Sequence, residues 1–322
     1  AWRPSTVGLG AMLAACASSS APVKPSLPAA SMPSPVAPSS LASNASLVPA
    51  DCTGDASLAF WQGIKAQYAS VDGNLHAVRL AACLAAPDPR LRDGVAYELL
   101  TYWLRKNALR PSVRIELYAM LLPWLSRSAG APGPDAVPRA FSALVLSEVV
   151  RSDALSSWLS TTQRLDLHAA ALAMFQQERD YRGLEPKLGW VHTVAHGADL
   201  LWRLAAHPAT TPEQRTQLLQ ALNTQVARPG LPAYVFNEAD RLARVAVVIA
   251  RSNPPPKMQD WLQTVADPAP MTRWTEAFQS PAGMARLHNV KQFLRALREG
   301  LAKSEPSPRL LQAVDAVLSP LP

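Results

Sequence analysis

From residue 55 onward the apolar side chains recur at three- and four-residue spacing, and period-two runs are nearly absent. That rhythm puts them on one face of successive α-helices. Leu58, Trp61, Ile64 and Tyr68 form one such stripe, and Val95, Leu99, Tyr102 and Trp103 the next. Leu117, Met120, Leu121 and Leu125 repeat it, as do Phe141, Leu144, Val145 and Val149. The pattern runs on to Leu287, Val290, Leu294, Leu297 and Leu301. Breaks fall at Asp88-Pro89, Arg110-Pro111, Thr211-Pro212 and Pro281, where proline opens a helix or ends one. About a dozen helices joined by short proline-bearing turns predict an all-α domain over residues 51–322. The segment Leu80–Leu100, helix, Pro-Asp-Pro, helix, resembles a HEAT-type repeat. The expected architecture is a degenerate HEAT/ARM-like α-α superhelix, since no strict period is detectable.

The first fifty residues break this pattern. Residues 1–16 combine Arg3, an apolar run and the string Leu13-Ala14-Ala15-Cys16, which resembles a bacterial lipobox. The resemblance implies a signal peptide over residues 1–16 and lipidation of Cys16. Residues 17–50 are almost wholly Ala, Ser, Pro, Val and Leu, without aromatics. Such a stretch buries too little to fold, and its prolines favour an extended tether. The expected location is therefore the cell envelope, anchored by lipid to a membrane, with the periplasmic face of the outer membrane favoured.

Composition narrows the function classes. A formal net charge of +7, spread as alternating arginine and acid, lacks the concentrated patch of a nucleic-acid binder, so no nucleic acid is expected. Two cysteines remain besides Cys16. In an oxidising compartment Cys52 and Cys83 form a disulfide or stay as two buried thiols, and spacing does not decide between them.

One span differs in kind: residues 178–203 pack His, Asp, Arg, Tyr and Trp together. A helix starting near Leu188 puts His192, His196, Asp199 and Arg203 on one polar stripe about 60° wide, with Trp190, Val194, Ala198 and Leu201 opposite. Two imidazoles at that spacing, with Asp199 a turn on, suit a divalent metal. Thr193 stands where the His-Glu-x-x-His motif carries its glutamate, so the metalloprotease arrangement is absent. The same stripe serves equally as a wall for a polar ligand, or as the solvated face of an ordinary amphipathic helix.

At this span the chain resembles a known bacterial family, domain of unknown function 2785. Asp180-Tyr181-Arg182-Gly183, Gly189-Trp190-Val191-His192 and Ala195 to Leu201 carry the resemblance. Pro87–Tyr97, Arg139–Leu146, Glu238–Ala243 and His288 to Leu294 extend it. It implies no activity. Its matching residues give a candidate ligand-binding set: Asp180, Tyr181, Arg182, Trp190, His192, His196, Asp199, Asp240, His288 and Lys291. An anion or polar chain would lie between Arg182, Lys291 and Arg295 if the helices adjoin.

There is no Gly-x-Ser-x-Gly elbow and no glycine-rich phosphate loop. The expectation is a lipid-anchored envelope module that binds or scaffolds an envelope protein or glycan, with no cofactor. The alternative is a hydrolase-like enzyme built on His192, His196 and Asp199, with or without a metal. A purely structural envelope protein is the third reading.

Overall fold

The structure is a computed structural model that describes residues 50–253, 255–303 and 308–322. The architecture below is that of the unit Ser46–Pro322, over its described residues. The signal segment with Cys16 and residues 17–49 of the tether lie outside the described residues.

The fold is all-α. Thirteen α-helices and one two-stranded ribbon are present among the described residues. Helices α1 (Gly54–Ala66), α2 (Ala77–Ala81), α3 (Pro89–Leu91) and α4 (Glu98–Arg105) open the domain, and a π-helical turn, Arg92–Tyr97, joins α3 to α4. Then come α5 (Pro111–Leu121), α6 (Ala136–Leu155) and α7 (Thr161–Gln177). The ribbon pairs β1 (Leu184–Glu185) with β2 (Gly189–Trp190), and α8 (Thr193–Ala206) follows. The chain continues through α9 (Pro212–Val226), α10 (Glu238–Ala250), α11 (Met258–Ala266), α12 (Pro281–Ala302) and α13 (Pro308–Leu318).

These helices stack in two layers. One layer runs α4–α6–α8–α10–α12, each helix packed on the next, and the other runs α7–α9–α11–α13. Alternate helices share a layer because each short turn sends the chain back across the stack, as in α-α superhelical repeats. The predicted stripes supply the core: Leu117, Leu121, Val145, Val149, Val290, Leu294 and Leu297 are all fully buried. Helix starts follow the local rules. Thr211 accepts from Gln214 N at 3.2 Å, Gln214 answers to Thr211 N, and Pro212 sits where no N–H is needed. Ser160 and Gln163 repeat that capping box at α7.

Cys52 and Cys83 are joined by a disulfide that ties the start of the domain to the turn after α2. Among the described residues no helix is long and apolar enough to cross a membrane.

Candidate functional site

The polar stripe sits on α8, at the centre of its layer, with α6 on one flank and α10 on the other. Its start differs from the sequence expectation. Residues 188–192 are not helical; Gly189 and Trp190 pair with Glu185 and Leu184 in the ribbon, and α8 begins at Thr193. His192 is the N-cap residue of α8, in the left-handed conformation at φ 49°. The breakers Gly183, Pro186 and Gly189 were the signal for this turn. Trp190 consequently does not join the apolar side of α8. It projects from the ribbon, 39% exposed, edge-on to Phe236 at 5.8 Å and over His192 at 5.0 Å.

The stripe is also not a solvated face. His192, His196 and Asp199 are all buried, because α6 and α10 close over α8 from both sides. His196 lies edge-to-face with Phe141 of α6, ring centres 5.1 Å apart, and 5.7 Å from the His192 ring. Burial holds the His196 imidazole well below the usual histidine range, with the neighbouring His192, Arg241 and Arg92 pushing the same way. His192 is pushed down to about 4 by burial, then by the Arg241 charge. Both rings are therefore neutral at neutral pH, each with one N–H and one bare nitrogen. Two of their nitrogens, His192 Nε2 and His196 Nδ1, are buried without a hydrogen-bond partner.

Asp199 is committed to α10. It accepts a hydrogen bond from Arg241 and lies 3.5 Å from Arg244. Glu238, the first residue of α10, is buried, accepts from Phe236 N at 2.8 Å, and stands 3.8 Å from His192 Nε2. Burial raises its carboxyl above the ordinary value. Among the described residues no group of three or more His, Cys, Asp and Glu side chains is placed to hold a metal ion, so His192, His196 and Asp199 do not form one.

The other family-matching residues are spread over the neighbouring structure. Asp180 is buried and receives Arg182 Nε at 2.9 Å, while Arg182 also reaches the Gly133 carbonyl at 3.0 Å. Tyr181 packs half-buried, donating to the Glu178 carbonyl at 3.1 Å and accepting from Arg228. His288 pairs with the Tyr234 carbonyl at 3.1 Å, and Lys291 donates to the Pro322 carbonyl. Asp240 is exposed. The expected Arg182–Lys291–Arg295 anion seat is not assembled, since Arg182 is forked onto Asp180 and Lys291 reaches the chain end.

Two buried arginines that support the site have no periodic signature in the sequence. Arg92, from the π-helical turn, donates to the carbonyls of Leu188 at 2.5 Å and Trp190 at 3.3 Å, and lies over Phe141 at 4.7 Å. It thus fixes the ribbon that carries Trp190 and His192 against the wall that carries His196. Arg139 of α6 makes a two-pronged pair with Glu178 at 2.8 and 2.9 Å, both side chains fully buried. That pair anchors the segment after α7, because Glu178 also accepts from the backbone of Arg179 and Asp180.

A separate cavity of about 170 Å³ lies at the other end of α8, lined by Leu167, His168, Leu204 and His207 among others. Asp153 there accepts from Trp158 N, Leu159 N, Arg164 and His207, which saturates it and orders the α6–α7 turn.

Residues 125–298 match the family model described as "Protein of unknown function (DUF2785)". That is more than half of the chain, and the chain belongs to this family. No curated protein and no solved structure matches it.

Proposed function

We propose that this member of the DUF2785 family is a lipid-anchored binding module of the cell envelope, and that it takes a hydroxyl-rich ligand, a glycan, at the α8 N-terminus. The supporting observation is the pair of orphaned nitrogens, His192 Nε2 and His196 Nδ1. A buried polar atom left unpaired costs about 1–3 kcal/mol. Two of them on adjacent rings, beside a partly exposed tryptophan, are accounted for if an incoming group completes them. A hydroxyl both donates and accepts, so it can complete either nitrogen of a neutral imidazole. Trp190, held edge-on by Phe236, supplies the flat apolar face against which a sugar ring packs.

The envelope location rests on the Leu13-Ala14-Ala15-Cys16 string and the proline-rich stretch after it. The Cys52–Cys83 disulfide supports it, because structural disulfides persist in oxidising compartments. Incorporation of labelled palmitate, lost in Cys16→Ser, is the expected result; an unlabelled wild type removes the anchor.

Binding is tested by thermal unfolding of wild type and Trp190→Ala against a panel of cell-wall glycans. A saturable rise in Tm in the wild type, abolished by Trp190→Ala, is expected from mass action. Equal melting points with and without every glycan would sink the reading. The enzymatic alternative draws on one observation, the 3.8 Å approach of Glu238 to His192. Turnover of a bound glycan that disappears in Glu238→Gln would establish it in place of simple binding.

A further inference from the structure

The α8 stripe continues beyond the histidines into a cluster of arginines, and their bookkeeping does not balance. Arg105 of α4, Arg203 of α8, and Arg241 and Arg244 of α10 surround two carboxylates, Glu148 and Asp199, and the charge of Arg151 on α6 acts on Arg203. Each carboxylate is already engaged. Glu148 accepts two hydrogen bonds from Arg105, at 2.8 and 2.6 Å, and Asp199 accepts from Arg241. Arg203 comes no nearer to Glu148 than 3.7 Å, and its Nε is buried without a partner. Arg244 stands 3.5 Å from Asp199, at ion-pair rather than good hydrogen-bond distance.

Both of these guanidinium groups are nonetheless held in place. Arg203 lies over the Trp202 ring at 3.9 Å and Arg244 over the same ring at 5.0 Å. Stacking fixes the plane of each fork while leaving its N–H edge free for an acceptor. Burial works against the charge on Arg203, and Arg151 and Arg105 repel it further, with Glu148 opposing them. The cluster is thus pre-ordered, rich in donors and in excess positive charge.

We propose that Arg203 and Arg244, both stacked on Trp202 with Arg241 beside them, form a seat for a phosphate-type oxyanion. Planar forks match the tetrahedral oxygens of a phosphate group in two-pronged fashion. Arg241 stays on Asp199 and serves as a positioning residue, keeping that carboxylate from claiming Arg244. The inference rests on the same reading of α8 as a binding face. It adds that the ligand carries a phosphate group, whether as a phosphorylated soluble compound or as a lipid headgroup.

Inorganic phosphate, titrated calorimetrically into the full chain at constant ionic strength, is the test. Saturable binding to one site is expected, weakened at least tenfold in Arg203→Gln/Arg244→Gln and unchanged in Arg273→Gln, an exposed arginine elsewhere. Arg203→Lys/Arg244→Lys keeps the charge and most of the packing, so it guards against a folding defect; it too is expected to lose tenfold. Absence of saturable heat, or wild-type affinity in either double variant, would overturn the proposal. Once phosphate binds, competition by phosphatidylglycerol vesicles, with phosphatidylcholine vesicles as the blank, assigns the source to a headgroup. Lack of competition assigns it to a soluble phosphate, and both results support the seat. Trp190→Ala is expected to leave phosphate affinity unchanged. Loss of glycan binding and loss of phosphate binding are therefore read separately, and each sinks its own claim.

Discussion

Arg92 donates from its guanidinium to the Leu188 carbonyl at 2.5 Å, across 96 residues of sequence, with no exposed surface of its own. This contact ties the opening helices to the ribbon in front of α8. It also makes the position of Trp190 and His192 depend on a residue outside the segment that contains them.

Arg92→Leu is accordingly expected to destabilise the domain by about 3–5 kcal/mol, the usual cost of breaking a buried, hydrogen-bonded charge arrangement. Urea denaturation measures it. Amide exchange over residues 184–192 should accelerate in the variant under native conditions. Unchanged exchange there would show that the ribbon holds itself.

Acid should weaken the fold through the two histidines. Both have folded-state values below the ordinary 6.5, His192 at about 4. Between those limits the unfolded chain binds protons that the folded one refuses, so stability is full above pH 6.5 and falls as pH drops toward 4. For His192 alone that difference amounts to about 3 kcal/mol. His192→Asn, which tolerates the left-handed backbone, is expected to flatten the slope of Tm against pH over this window. An identical slope in the variant contradicts the assignment.

Reduction should cost the amino-terminal part of the domain its staple. Cys52 and Cys83 are 31 residues apart, and closing a loop of that size is worth about 3.5 kcal/mol in the chain-entropy account. Cys83→Ser and reductant-treated wild type are expected to show the same lowered urea midpoint. A midpoint unmoved by reductant rules the bridge out.

Gly183 admits no side chain where it stands. A Cβ there would lie 2.0 Å from the Phe236 ring. Gly183→Ala must displace Phe236, at about 1–3 kcal/mol for an overpacked site. It is also expected to weaken glycan binding by removing the edge contact with Trp190, while phosphate affinity stays as in wild type. A variant with unaltered stability and glycan binding would mean that Phe236 moves freely.

Much of the helical scaffold was legible because its causes are local. Leu117, Leu121 and Leu125 recur at helical spacing and are buried as that spacing requires. Thr211-Pro212 opens α9 through contacts made within four residues. The stretch 188–192 is expected as helix because the apolar spacing of Trp190 and Val194 fits one, and the structure forms a ribbon there. Gly183, Gly189 and Pro186 outweigh that spacing, with Arg92 donating to the ribbon carbonyls.

The sequence by itself determined the all-α class, helix starts such as that at Thr211-Pro212, and the grouping of His192, His196, Asp199 and Arg203 along one line, since these follow from neighbours three or four positions away. Only the tertiary structure decided that this line is buried rather than solvated. It alone placed Asp199 against Arg241, put Arg203 and Arg244 on one tryptophan, and joined Cys52 to Cys83. Those outcomes depend on which helices of a layer lie side by side. Periodicity along one helix says which face is apolar, but it carries no information about what closes over the polar one.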